Sequence, residues 1–201
     1  MAELIDLGMR PFLEVWELQK ELVQQRIDDQ IGDVFVLCAH PPVYTVGRRR
    51  EALKNLLDVG DTPIYEIERG GDVTWHGPGQ VVLYPILRMP EGDVLKHLRW
   101  LEQWMIEVAA HFGLSLERDA RNAGVWHQGR KVGSVGVASR RGVSWHGLAL
   151  NVNPDLSWFR RINPCGMNSE LLSSMEVELG GPVEEEAVRQ LFREKVVLYG
   201  S

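Results

Sequence analysis

Val34-Phe35-Val36-Leu37-Cys38-Ala39 is an unbroken apolar run, preceded by Asp33 and broken by Pro41-Pro42. Its length and its β-branched and aromatic content read as a buried strand, which other elements have to cover. A first strand is predicted at Glu3–Leu7, before Gly8. From about Pro11 to Asp29 the apolar positions Phe12, Val15, Trp16, Leu18, Leu22, Val23 and Ile27 recur at helical spacing. Val43–Val46, Pro63–Glu68 and Val81–Leu87 read as further strands. Asp93 is a helix N-cap candidate, and a stripe from Val94 to Phe112 ends at Gly113. Residues 124–152 read as a β-meander: Gly124–His127, Lys131–Arg140 and Val143–Val152, with turns at Gln128-Gly129-Arg130 and Arg141-Gly142. An irregular stretch follows, and Glu184–Leu198 is the closing helix. The resulting expectation is α+β: a single domain over residues 1–201, with a mixed, mainly antiparallel sheet and packed helices.

The chain has 201 residues and a formal net charge of −6, which disfavours general electrostatic binding to nucleic acid. Met1-Ala2-Glu3-Leu4-Ile5-Asp6 has neither the charge nor the apolar run of a signal peptide. No stretch of 18 or more apolar residues is present, so no membrane span is expected. The expected compartment is the cytoplasm, with Cys38 and Cys165 both as free thiols.

Three segments carry chemical interest. Arg69-Gly70-Gly71-Asp72-Val73-Thr74-Trp75-His76-Gly77-Pro78-Gly79-Gln80 holds four glycines in twelve residues, a composition that opposes a regular helix and lets backbone approach a ligand. It is not a Walker A loop, since no Gly-Lys-Ser/Thr follows. The alternative is a long hairpin loop turning at Gly77-Pro78-Gly79. In the meander, Gly133, Gly136 and Gly147 interrupt strand patterns. Glycines on neighbouring strands would floor a groove for an extended acyl chain, or mark ordinary strand irregularity. In Asn163-Pro164-Cys165-Gly166 the cysteine sits in a constrained turn, whereas Cys38 belongs to a core strand. Scattered histidines and the absence of Cys-x-x-Cys or His-Glu-x-x-His argue against a metal site. Cys165 is thus a candidate nucleophile, with His76, His146 or a lysine as base, or else an inert loop cysteine.

In this order the three segments resemble the lipoyl(octanoyl) transferases. The family's Arg-Gly-Gly-x-x-Thr-x-His-Gly-Pro-Gly-Gln stands intact at Arg69–Gln80. Its second block, opened by lysine and ending in His-Gly-x-Ala-Leu-Asn, matches Lys131–Asn151, and its Asn-Pro-Cys-Gly matches Asn163–Gly166. A basic residue common after Gly136 is replaced here by Val137-Ala138-Ser139.

The resemblance implies the biotin/lipoate protein ligase fold. It also implies transfer of octanoyl from acyl carrier protein to a lysine of lipoyl domains, those of 2-oxoacid dehydrogenase E2 subunits and of the glycine cleavage H protein. Cys165 becomes the acylated residue and Lys131 its partner. Arg69, Gly70, Gly71, Asp72, Val73, Thr74, Trp75 and His76, with Ser134, Val135, Gly136, Gly147, Leu148 and Ala149, line the acyl site. No metal or cofactor is implied, and the expected state is a monomer. The chemistry requires a neutral Lys131 to deprotonate a thiol whose free pKa is about 8.5. Two alternatives compete. An ATP-dependent lipoate or biotin ligase on the same fold needs no nucleophilic cysteine. A non-catalytic module would bind the carrier or the lipoyl domain and transfer nothing.

Overall fold

The computed structural model describes residues 2–89, 93–163 and 169–199. The described residues form two sheets, a six-stranded one and a three-stranded one. The elements are β1 (Glu3–Met9), α1 (Phe12–Ile27), β2 (Val34–Ala39), β3 (Val43–Val46), β4 (Ile64–Glu66), β5 (Val73–His76), β6 (Gln80–Ile86), α2 (Val94–His111), β7 (Gly124–His127), β8 (Arg130–Arg140), β9 (Val143–Asn151), α3 (Met175–Leu179) and α4 (Glu185–Tyr199). The large sheet runs β1-β2-β6-β9-β8-β7 and the small one β4-β3-β5. One pair in each is parallel, β1 with β2 and β3 with β4, and the others are antiparallel. The sheet is therefore mixed and mainly antiparallel, as the patterning predicts.

The apolar run of β2 sits at the second position of the large sheet, and all its residues are buried. One face meets Leu101, Trp104 and Met105 of α2 with Phe192 and Val196 of α4, in the cluster that takes Phe35 and Leu37. The other meets Val15, Leu22 and Val23 of α1, in the cluster that takes Val34, Val36 and Cys38. That two-sided cover is why β2 has no polar alternation. Asp93 caps α2 as expected, its carboxylate accepting the Lys96 amide at 3.2 Å.

Differences from the sequence reading have local causes. β1 runs through Gly8 instead of ending before it: a register shift falls between Asp6 and Gly8, and Gly8 has φ 60. The stretch 69–80 is not a plain hairpin loop. It contains β5, and the turn at Gly77–Gly79 hands the chain from the small sheet to the large one. Neither parallel pair nor α3 was legible, because each depends on partners distant in sequence. The motif residues Pro164, Cys165 and Gly166 lie outside the described residues.

Candidate active site

A cleft of about 700 Å³, its open mouth included, lies between the small sheet and the β8–β9 ladder. One wall is the loop and strand Arg69, Gly70, Gly71, Asp72, Val73, Thr74 and His76. The other is Lys131, Ser134, Val135 and Gly136 of β8 with Gly147, Leu148 and Ala149 of β9. Segments singled out far apart in the sequence thus converge on one cavity. Trp75 does not reach it; its ring turns the other way, 5.8 Å from Trp158 and 5.3 Å from Phe159.

Lys131 enters the cleft because of a bulge. On β7, Val125 pairs with Gly133 while the next residue, Trp126, pairs with Lys131, so Val132 is the extra residue. Val132 is in the main core, and a Cβ on Gly133 would meet the Met105 sulfur of that core at 2.7 Å. Two consecutive residues therefore face the core, and alternation restarts with Lys131 on the cleft side together with Ser134 and Gly136. Lys131 is 4% exposed. Its Nζ lies 5.7 Å from the Trp126 ring centre, and a Cβ on Gly124 would stand 2.8 Å from its Cε. That glycine makes room for the lysine stem.

Gly136 and Gly147 are directly opposed across β8 and β9. A Cβ on Gly147 would lie 2.1 Å from the Leu83 carbonyl oxygen, and one on Gly136 would lie 2.9 Å from Arg69 Cδ. Both glycines line the cleft, yet what each missing methyl admits is protein. At Gly136 the neighbour is the Arg69-Gly70 turn, which docks on β8 through Gly70 N–H to Val137 O at 3.0 Å.

Buried polar groups organise the walls. Arg69 donates to the Thr45 carbonyl at 2.8 Å and to its hydroxyl at 3.0 Å. Asp72 accepts two bonds from Asn55 Nδ2, both at 2.8 Å, and one from Val73 N–H at 2.7 Å. Gln80 donates its amide to Asn151 Oδ1 at 2.8 Å, which leaves its oxygen to accept from His76 Nδ1 at 3.1 Å. That fixes His76 with its proton on Nδ1. His40 donates Nδ1–H to the Arg10 carbonyl at 2.8 Å and accepts from the Tyr84 hydroxyl at 2.8 Å. Burial, with repulsion from His40 and Arg69, pushes His76 down to about 3. Burial likewise pushes His40 down to about 4 and depresses His146. Around neutral pH the His76 and His40 imidazoles are uncharged hydrogen-bonding groups.

The described flanks of the Cys165 segment are tied to the cleft. Asn163 N–H donates to the Asn55 carbonyl at 2.8 Å, and Asn55 in turn holds Asp72. On the other side Leu172 lines the cleft, and Ser173 N–H donates to the Lys131 carbonyl at 2.8 Å. Asn151 Nδ2 adds a bond to the Ser173 carbonyl at 2.9 Å. Among the described residues no cluster of His, Cys, Asp or Glu is arranged to hold a metal. Cys38 is fully buried in β2, and burial pushes its thiol up.

Phe12, Ile67, Tyr84, Asn122, Phe159 and Leu172 also line the cleft and went unnoticed in the sequence. Phe12 is merely the first apolar position of α1, and nothing local marks it as a site residue.

Solved lipoate and biotin protein ligases share this fold. A lipoate-protein ligase A solved with ATP superposes with TM-score 0.74 at 13% identity, covering 94% of this chain and 81% of the other. The biotin protein ligase of Aquifex aeolicus superposes at 0.55 and 12%, covering 97% and 67%. At such identities the likeness shows the fold. The family model for the lipoyl protein ligase A/B catalytic domain matches residues 11–197. An octanoyltransferase of Acidothermus cellulolyticus is 44% identical over 190 residues, covering 92% of this chain and 85% of its own length. One of Rubrobacter xylanophilus is 46% identical over 180 residues, covering 86% and 81%. The chain belongs to the lipoyl protein ligase A/B catalytic family, on its lipoyl(octanoyl) transferase branch.

Proposed function

We propose that this protein moves an octanoyl group from octanoyl-acyl carrier protein to the ε-amine of a lysine in a lipoyl domain. The relatives named octanoyltransferase support octanoyl transfer in protein lipoylation as the activity. The observation that carries the residue assignment is the Val132 bulge, which turns Lys131 into a cleft walled by the other motif segments.

In the first half-reaction neutral Lys131 takes the proton of the Cys165 thiol. The thiolate attacks the donor's thioester carbonyl, and the carrier's thiol leaves with the proton that Lys131 returns. One thioester is broken and one formed, so little free energy is lost. In the second, the neutral amine of the acceptor lysine attacks the Cys165 thioester. Lys131 accepts a proton from that amine and passes it to the departing Cys165 sulfur. The amide product is more stable than the thioester, so the step proceeds without ATP. The titration of such a pair belongs to both groups. The cleft walls hold the alkyl chain and exclude water from the thioester. The acceptors are lipoyl domains of 2-oxoacid dehydrogenase E2 subunits and of the glycine cleavage H protein. The chain acts as a single catalytic domain and a monomer in the cytoplasm.

The test is donor dependence. Purified protein with a lipoyl domain should make the octanoyl amide from octanoyl-acyl carrier protein alone. If product forms only from free octanoate and ATP, the reading fails in favour of a ligase.

A further inference from the structure

The register of the large sheet puts His76 at the Lys131 end of the cleft. Gly133 of β8 pairs with Leu150 of β9, so Asn151 is level with the Val132 bulge beside Lys131. Asn151 in turn pairs with Gln80 of β6. Strands about 4.8 Å apart place Gln80 two strands, roughly 10 Å, from Lys131. Hydrogen bonds run along the same level. His76 Nδ1 donates to Gln80 Oε1 at 3.1 Å, and Gln80 Nε2 donates to Asn151 Oδ1 at 2.8 Å. Asn151 Nδ2 donates to the Ser173 carbonyl at 2.9 Å, and the Ser173 amide to the Lys131 carbonyl at 2.8 Å. The His76 ring is also clamped, stacked on Phe12 at 6.3 Å and edge-on to His40 at 5.9 Å.

That network leaves one group of His76 unused. Gln80 gives its amide hydrogens to Asn151 and to the Trp75 carbonyl at 3.3 Å, so its oxygen takes the Nδ1 proton and the lone pair stays on Nε2. Among the described residues Nε2 has no hydrogen-bond partner, and His76, 8% exposed, lines the cleft. With a folded value of about 3, the ring accepts a hydrogen bond around neutral pH but holds no second proton. It therefore suits a donor that the substrates bring. A thioester offers only acceptors, whereas the neutral amine of the acceptor lysine offers two N–H groups.

We propose that His76 Nε2 accepts a hydrogen bond from the attacking amine of the lipoyl-domain lysine and so aims the amine's lone pair at the Cys165 thioester. The inference rests on the transferase reading above. Attack makes that nitrogen cationic, with two N–H groups. One proton goes to Lys131; the other stays on nitrogen as the amide N–H and is bonded to Nε2 through the transition state. No bond to hydrogen breaks at His76. The first half-reaction involves no amine and does not use this bond. The bond strengthens as positive charge develops on nitrogen, so it favours the transition state over the ground state. Losing a hydrogen bond to a charged group lowers a rate by about 10–10²-fold.

The experiment measures two single-turnover rates: octanoyl adduct formation from octanoyl-acyl carrier protein, and discharge of the adduct by a lipoyl domain. Wild type is compared with His76→Asn and His76→Gln. Asparagine puts an amide near the Nδ1 position, which keeps the donor to Gln80 and removes the Nε2 acceptor. Glutamine puts an amide oxygen near the Nε2 position and removes that donor. In His76→Asn, discharge should slow about tenfold or more beyond any slowing of adduct formation. In His76→Gln, the ratio of the two rates should stay within about threefold of wild type. The reverse order would make His76 a support for Gln80 alone and overturn the proposal, as would equal slowing of both steps in His76→Asn. The pH profile of discharge should keep its shape in His76→Asn; loss of one limb would make His76 a base and overturn the acceptor role. If His76→Asn does not fold, His76→Gln decides: a ratio near that of wild type supports the acceptor, and a fall of about tenfold overturns it. A wild type that forms no adduct from the carrier would overturn the thioester route itself, and this role with it.

Discussion

Ser173 donates its backbone amide to the carbonyl of Lys131 at 2.8 Å, with Leu172 bridged alongside the same strand residue. The chain leaving the Cys165 segment is thereby laid against the residue proposed to exchange protons with it. The bond uses backbone groups only, so it holds whatever side chain stands at 131.

Replacing Lys131 therefore separates chemistry from architecture. Lys131→Met keeps the stem that packs near Trp126 and Gly124 and removes the amine. A positioned acid–base group contributes about 10²–10⁴-fold. The variant should fold like the wild type by circular dichroism and lose transfer by that order. Transfer within threefold of wild type would remove Lys131 from the mechanism.

The Gln80 side chain couples His76 to Asn151, and Asn151 reaches on to Ser173. Gln80→Ala strands buried polar atoms on both neighbours, at about 1–3 kcal/mol. It should lower the urea midpoint, and the Asn151→Ala variant should lower it too. Because both share one network, the double variant should cost less than the sum of the singles. Strict additivity would show the bonds are not energetically linked.

Acid should unfold the protein early. His76, His40 and His97 have folded values of about 3, 4 and 4, below the ordinary 6.5. Burial is the leading cause in each. For a histidine with a depressed folded value the unfolded chain binds more protons. Stability is then fully present above about 6.5 and falls as pH drops from there toward 4. Each such group costs up to about 1.4 kcal/mol per pH unit in that window. Urea titrations should show a steep fall between pH 6.5 and 4.5. A flat midpoint over that range would mean the imidazoles are protonated in the fold.

Arg48, Arg49 and Arg50 follow β3, on the loop whose Gly47 and Arg49 amides bond to the carbonyls of Asp72 and Gly71 in the cleft wall. Arg49 is also 3.7 Å from the Asp72 carboxylate. In a chain of net charge −6 this local positive patch suits an acidic carrier protein. Arg48→Glu with Arg50→Glu should raise KM for the carrier about tenfold at low salt and by less at high salt. Kinetics unchanged across salt would discard the patch as a docking site.

Period and punctuation in the sequence were enough for α1, β2, α2 and the β7–β9 meander, because each is fixed by local pattern: the stripe from Phe12 to Ile27, the unbroken run of β2, the Asp93 cap. The convergence of Arg69–His76, Ser134–Gly136 and Gly147–Ala149 was legible through the motifs they carry. Two features were not. The Val132 bulge depends on how β7 pairs with β8, and alternation read from the sequence alone sends Lys131 to the same face as Gly133. The lining by Phe12 is the other: an unremarkable helix residue brought to the cleft, 5.4 Å from His40, by packing. Trp75, inside the motif, points away from the cleft because its ring completes a separate cluster with Tyr44, Phe159 and Ile162.

The central claim is a covalent octanoyl group on Cys165 made with the help of Lys131. Intact-protein mass spectrometry after incubation with octanoyl-acyl carrier protein tests it most directly, on wild type, Cys165→Ala and Lys131→Met. The account predicts one hydroxylamine-labile octanoyl adduct on the wild type, discharged by a lipoyl domain, absent from Cys165→Ala and strongly slowed in Lys131→Met. Transfer to the lipoyl domain that survives in Cys165→Ala without any adduct would contradict it, and would mean that the acceptor lysine attacks the carrier thioester directly.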